Sequence, residues 1–457
     1  MRELSWTLES TPSTRTGPRL GVLSIPSSAD GEGTDQVTIS TPACLTYTRR
    51  GEPAFLTPDV LNTLPPSAKA FQVSLPHFMD HLPSEHVSQC PGGGNKYFGS
   101  APSFTLATAR DSITFDLNSK PSNDDKSTFV GTPVGVKKLT VREYMKWVHA
   151  VQPSAFIALA DEPLSLENVN VKKTKAAALR SERWLDECDA LRNIEATEMS
   201  DGTSTSENMG IPMFACITGG ACLTSRTESA AAAVAKGDSI FGYSIGGLGA
   251  GEDPNETRSK LLDVSIKQLP ENKPRHVPGI SAPLEVLCLL EHGIDVMDNS
   301  FCHTATVAGE ALWFPVQEEE EDGDDDNATE KETNKKRKLD TDTSTTLADA
   351  AADAIDAQLA TGTDAFTFNI WSLAYRTDSR PLVINCKCHT CRNHTRSYLH
   401  HLLQCREMTA SVLLDIHNQY HYLLFFEKAR EAIGKGTFEA FAKFHRSRAD
   451  KGVSYTQ

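Results

Sequence analysis

The sequence predicts an α/β fold, a parallel sheet covered by helices, and three observations carry that prediction. Short continuous apolar runs recur, bounded by Gly, Pro or Asp, as expected of strands buried on both faces. They are Phe104–Ala109, Phe156–Asp161, Met213–Thr218, Phe241–Gly247, Arg275–Ile280 and Asp295–Asn299. Segments with apolar residues at helical spacing lie between them: Val141–Val151, Thr227–Lys236, Asn255–Lys267 and Pro283–His292. Several runs also end on Gly or acidic residues, at Asp161-Glu162, Gly219-Gly220, Gly246-Gly247 and Asp298-Asn299. Such strand ends are where an α/β fold gathers a binding site, although Gly also turns a chain and Asp also caps a helix. A (β/α)8 barrel and a doubly wound sheet both satisfy the pattern.

A chain of 457 residues with 39% apolar residues has room for one large domain or two ordinary ones. Residues Glu318–Asp356 hold 15 acidic and 5 basic side chains, a net of −10 against −15 for the whole chain, which leaves −5 for the rest. The body is therefore only mildly acidic, which argues against non-specific nucleic-acid binding but permits a local basic surface. The acidic segment has too little apolar surface to offset its ordering entropy and is expected to be disordered. Its basic tetrad, Lys335–Lys338, reads as an import signal or as a solvated charge block. Thr197–Asn208 and Asn118–Thr128 are expected to be irregular. The polar start, Met1–Pro18, has no apolar signal core, and no apolar run nears the roughly 18 residues that span a bilayer. Eleven cysteines without framework spacing suit a reducing compartment, so a soluble intracellular protein is expected.

After the acidic segment, Phe366–Tyr375 alternates like a strand, a second short strand is expected at Pro381–Asn385, and Thr395–Ile433 reads as helical. Between them, Cys386, Cys388 and Cys391 place three thiols within six residues, a compact bite for a tetrahedral zinc ion. Spacing leaves the fourth ligand open among His389, His394, His400, His401, His417 and His421. His417 is favoured because a helix over Thr409–His417 can return its side chain to the loop. Four protein ligands leave no open position, so the role would be structural.

The run CKCHTCRNHTRSYLHHLL from Cys386, followed by Leu413–Asn418, resembles the zinc subdomain of the queuine tRNA-ribosyltransferases. In that family a histidine 26 residues after the third cysteine completes the site. The interval from Cys391 to His417 is the same, so the resemblance assigns His417. Gly242–Glu252 resembles the family's Gly-Gly-Leu loop against the bound base, and Pro274–Ile280 and Gly293–Asp298 resemble the next two barrel strands. Thr41–Gly51 and Leu56–Asp59 match near the N-terminus. Over about residues 20 to 440 the resemblance implies a (β/α)8 TIM barrel with a C-terminal zinc-binding subdomain. The expected boundaries are a flexible N-terminus (1–20), barrel body (21–317), acidic insertion (318–360), zinc subdomain with C-terminal helices (361–440) and tail (441–457).

Catalytic members exchange guanine for queuine at the tRNA wobble position through a nucleophilic Asp, with a second Asp in an Asp-Ser-Gly-Gly-Phe-Gln motif. Asp298 stands at the nucleophile position and Asp111 at the second, but Ile113 and Thr114 replace that motif's glycines. β-Branched side chains there would fill space that a flat base needs. Thr218 replaces the Gln of the base-holding turn, and Asn299–Thr304 lacks the arginine expected beyond the nucleophile. The resemblance thus implies vestigial Asp298 and Asp111, with Asp161, Gly246 and Gly247 as remaining substrate contacts. The implied protein binds one structural Zn²⁺, pairs with a catalytic homologue as a heterodimer, and grips tRNA through Arg392, Arg396, Lys428 and Arg430. Family members occur in the cytosol and at the outer mitochondrial surface. The competing expectations are an active transglycosylase using Asp298 and a free-standing tRNA-binding scaffold.

Overall fold

The computed structural model describes residues 4–10, 16–25, 37–99, 103–113, 123–163, 170–193, 210–249, 251–314 and 366–451. The acidic insertion, Lys335–Lys338 and Thr197–Asn208 lie outside the described residues, as does most of Asn118–Thr128. The end of that last segment opens a strand, Ser127–Thr132, paired with Gly135–Thr140.

Eight parallel strands close a barrel in strict chain order. They are β1 (Ala43–Tyr47), β2 (Ala70–Ser74), β3 (Phe104–Thr108), β4 (Ala155–Ile157), β5 (Met213–Ile217), β6 (Gly242–Ile245), β7 (Arg275–Val277) and β8 (Val296–Asp298). Closure runs through β8 and β1, where Val296 faces Ala43 and Asp298 faces Leu45. Every residue of these strands is buried, because one face fills the barrel and the other meets helices. Of the two topologies the sequence left open, the barrel is the one formed.

The helix Val141–Val151 begins at a capping box, in which Thr140 and Glu143 satisfy each other's backbone N–H groups. Its register matches the sequence expectation, and Pro283–Glu291 nearly so. The helix Leu223–Ala235 starts four residues before the expected Thr227, and Asn255–Lys267 divides into a π-turn and a helix over Ser259–Ile266. A 23-residue helix, Val171–Asn193, had no counterpart in the sequence reading. Its charged composition conceals the apolar stripe.

Three antiparallel strands, Ser5–Ser10, Leu20–Ile25 and Val37–Thr41, pack Leu23, Ile25 and Ile39 onto the apolar barrel interior at Ala43, Phe104 and Phe214. Buried Arg19 ties this sheet to β7 and β8. Its Nε donates to Asp295 at 2.8 Å, and its amino groups reach the Glu271 and Lys273 carbonyls.

Beyond the barrel, Glu310–Leu312 pairs with Thr367–Asn369, so the two ends of the acidic insertion meet. The expected strand Phe366–Tyr375 is thus only three residues long before a 3₁₀ turn at Leu373–Thr377. Pro381–Asn385 is not a strand. The Arg396 guanidinium takes the Pro381 and Leu382 carbonyls that a ladder would use. The expected helical region breaks at Cys405–Glu407, where Arg406 adopts φ +56°, into Arg396–Gln404 and Met408–Lys435. The longer helix packs on Ser300–Ala308 and joins the barrel to the cysteine loop. No helix among the described residues is long and apolar enough to cross a membrane.

Candidate functional site

Cys386, Cys388, Cys391 and His417 come together, with all four ligand atoms within 4.8 Å of one another. His417 Nδ1 lies 3.8, 3.5 and 3.4 Å from the three sulfurs in turn. The far side of the ring is spoken for: Nε2–H donates to the Leu312 carbonyl at 2.7 Å. That bond selects the tautomer whose Nδ1 lone pair points at the sulfurs, the outer-shell arrangement typical of metal-bound histidine. Cys388 caps the turn that brings Cys391 back, and its sulfur accepts from Cys391 N. Of the other candidate histidines, His421 lies beside the set, stacked on His417 at 5.5 Å and in contact with Cys386. His400 and His421 bond the Ile370 and Phe314 carbonyls, His401 faces Cys405, and His389 faces Asn393.

The helix that supplies His417 also braces the barrel mouth. Gln419 accepts from Asn299 Nδ2, and Asn299 Oδ1 accepts from Tyr47 N at 2.7 Å. Asn299 follows Asp298, which closes β8 and is fully buried. The Asp298 carboxylate accepts three hydrogen bonds: Ser112 Oγ at 2.9 Å and Gly279 N at 2.6 Å on Oδ2, and Ser300 N at 2.9 Å on Oδ1. Behind Ser112 runs a chain of one direction. Gln72 Nε2 donates to Ser112 at 2.6 Å, His276 Nε2 to Gln72 Oε1 at 3.3 Å, and Ser244 Oγ to His276 Nδ1 at 3.0 Å. Burial pushes the His276 pKa down to about 3, so the ring is neutral and donates from one nitrogen while accepting on the other.

Asp111 is similarly occupied. It accepts from Tyr47 Oη at 2.8 Å and from Ile113 N at 3.2 Å, and His77 Nε2 lies 3.2 Å from its other oxygen. Burial, reinforced by Asp111, raises the Tyr47 phenol above its ordinary range, so it stays a proton donor. The Asx-type turn at Asp111 leaves Ile113 exposed. Thr114 lies outside the described residues.

The Asp161 carboxylate receives Arg180 Nε at 2.9 Å and NH2 at 2.6 Å on one oxygen and Asn123 Nδ2 at 2.6 Å on the other. At Gly246 a Cβ would meet Glu162 Oε2 at 2.5 Å, and the same oxygen accepts from Gly247 N at 3.1 Å. Arg110 holds Glu162 from the other side at 2.8 Å. Buried Arg226 donates to the Gly246 and Gly220 carbonyls. The glycine cradle thus encloses a carboxylate of the chain itself.

Of the four cations expected to face tRNA, Arg396 is buried on Asp378 and two carbonyls, and Arg430 donates to Pro42 O at 2.8 Å. Lys428 pairs with Glu431, and Arg392 alone of the four is exposed. Gln72, Ser244 and His276 were not singled out from the sequence, and Glu162 was noted only as part of a strand end. A polar residue inside an otherwise apolar strand, as in Ala70–Ser74 and Gly242–Ile245, was the available signal.

A family model described as "Queuine tRNA-ribosyltransferase" matches residues 14–450. The protein of Pongo abelii named "Queuine tRNA-ribosyltransferase accessory subunit 2" is 30% identical over 401 residues, covering 87% of this chain and 90% of that protein. Proteins of the same name in Danio rerio and Aedes aegypti are 29% and 27% identical, covering 95% and 94% of this chain and 98% and 90% of theirs. The barrel, the Cys₃His cluster and these matches together place the chain in the queuine tRNA-ribosyltransferase family.

Proposed function

We propose that the chain is the non-catalytic subunit of a heterodimeric tRNA-guanine transglycosylase, pairing with a catalytic homologue and helping to hold the tRNA whose wobble guanine is exchanged for queuine. The observation that carries this reading is the state of Asp298. An attacking carboxylate needs an oxygen lone pair aimed at open space. Here the carboxylate is completely buried, accepts three hydrogen bonds, and has Gln72 behind Ser112. Glu162 standing in the glycine cradle supports the same reading, as does the engagement of Asp161 by Arg180 and Asn123. The relatives' shared name, accessory subunit, supports a catalytic partner. Trp371, Leu373, Ile384, Tyr398 and Met408 of the zinc subdomain are exposed, which suits a covered face.

The ion fitting three thiolates and an imidazole nitrogen is zinc, held by Cys386, Cys388, Cys391 and His417. It would supply no reaction chemistry, serving to fix the loop against the helix that braces β8. Cytoplasmic residence, with peripheral association at the mitochondrial outer membrane, belongs to the same proposal.

Guanine exchange into unmodified tRNA tests it, with this chain alone, the catalytic homologue alone, and the two mixed. Exchange should require the catalytic homologue and rise when this chain is added. Turnover by this chain alone, abolished by Asp298→Ala, would instead establish an active transglycosylase. Failure of the chains to co-elute in gel filtration would leave a free-standing scaffold.

A further inference from the structure

Two histidines, not one, stand over the cysteine loop. His417 and His421 lie one turn apart on the helix Met408–Lys435, so their side chains leave the same face. Histidines at this spacing can share one metal ion. Both are buried, and their rings stack at 5.5 Å and 24°. Each ring is oriented from behind in the same way. His417 Nε2–H donates to the Leu312 carbonyl at 2.7 Å, and His421 Nε2–H donates to the Phe314 carbonyl at 2.6 Å. The spacings match, because four residues of helix advance about 6 Å and two residues of extended chain about 6.6 Å. One helical turn thus serves two successive acceptors on the chain that leaves Glu310–Leu312.

A carbonyl bond on Nε2 selects the tautomer with its lone pair on Nδ1, the form that ligates metal. His417 directs that nitrogen at all three sulfurs, with Cys386 the farthest at 3.8 Å. His421 is in contact with Cys386. It lies outside the four ligand atoms that sit within 4.8 Å of one another, so a tetrahedral ion among those four does not take it. Packing alone does not explain an imidazole here. The Phe314 ring lies 4.7 Å from the His421 ring, a contact that an apolar side chain would make without desolvating a polar group.

We propose that His421 is a reserve metal ligand, which takes the corner of Cys386 when that thiolate is lost. The exchange turns a Cys₃His set into Cys₂His₂, and both are closed structural sets for zinc. The loop then stays pinned to the helix without Cys386. This inference rests on the zinc reading above.

The test uses the full-length chain, with zinc per chain read by elemental analysis and affinity by competition with a chromophoric chelator. Wild type and His421→Phe should each carry one zinc, since both keep the four first ligands. Cys386→Ala should also carry one, whereas Cys388→Ala should carry none, because His421 reaches only the Cys386 corner. Adding His421→Phe to Cys386→Ala should weaken zinc binding by more than the roughly 10- to 100-fold that an outer-shell partner accounts for. In cobalt-loaded Cys386→Ala the thiolate charge-transfer band should be weaker than in wild type but present. Cys386→Ser repeats the comparison if the alanine variant does not fold, and failure of both counts as loss of the metal. Zinc lost from Cys386→Ala as completely as from Cys388→Ala overturns the proposal. So does equal affinity in Cys386→Ala with and without His421, or loss of zinc from His421→Phe alone. A folded wild-type chain without metal would sink the zinc reading itself, and the reserve ligand with it.

Discussion

A carboxylate at the end of a barrel strand is ordinarily read as chemistry, and Asp298 shows why its partners must be counted first. Three donors converge on it, two of them backbone N–H groups. Asp298→Ala would strand those donors in a buried site, so it should lower unfolding stability by about 2–4 kcal/mol. Urea denaturation measures this, and an unchanged midpoint would show that the bonds carry no stability. His276 makes a second prediction at the same scale. Its folded pKa, about 3, lies below the ordinary 6.5, so the unfolded chain binds a proton that the folded chain refuses. Its contribution is complete above about pH 6.5 and declines as the pH falls toward 3. Between about pH 7.5 and 5.5 the loss should be about 1.4 kcal/mol. His303, pushed down to about 4 by burial and then by Arg49, should add a similar amount. The denaturation midpoint of His276→Gln should therefore vary less steeply with pH than that of wild type, and equal slopes would refute the assignment.

Among the elements, the cysteine loop is held at one end by sequence-local geometry and at the other by a distant helix. The three cysteines were legible because their spacing is a chemical signature. Spacing alone left the fourth ligand open among six histidines, and the family resemblance assigned His417, which the fold brings to the three sulfurs. The Leu312 carbonyl, 105 residues away in sequence, orients His417. Stripping the ion with a strong chelator, or replacing Cys388 by Ser, should lower the melting temperature on the order of 10 °C. Elemental analysis should find one zinc per chain beforehand, and a melt indifferent to the chelator would count against a structural ion. The barrel strands followed a similar logic. Runs such as Met213–Ile217 announced themselves by continuous apolar character. β1 and β2 did not, because Thr46 and Gln72 interrupt them. Gln72 is also where the strand gives up apolar packing to support Asp298 through Ser112.

For the whole molecule, what sequence order hides is closure. Ser244, His276, Gln72, Ser112 and Asp298 come from β6, β7, β2, the loop after β3 and β8, and no window of the sequence contains them. The resemblance located the positions, but only the closed barrel shows how they are joined. The same closure explains why the basic residues of the C-terminal helices misled. Arg396 and Arg430 look solvated in sequence, yet each cements one part of the fold to another.

The strand pair Glu310–Leu312 and Thr367–Asn369 acts as a clasp. Leu312 faces Thr367, Trp313 N donates to Phe366 O, and the Phe314 and Phe366 rings meet at 5.5 Å. Asn418 bolts the clasp to the long helix by accepting from Leu312 N and donating to Glu310 O. Whatever the chain does between residues 314 and 366, it must leave and return through one fixed gate. Chain length beyond that gate costs little, since closure entropy grows only with the logarithm of loop length. Replacing residues 318–360 with a short Gly/Ser link should therefore shift the melting temperature by no more than about 2 °C, and a larger fall would show that the segment braces the fold. For the engineer this makes the gate a docking port: a fluorescent protein or an affinity module could be spliced there, leaving barrel and cysteine loop in their native register.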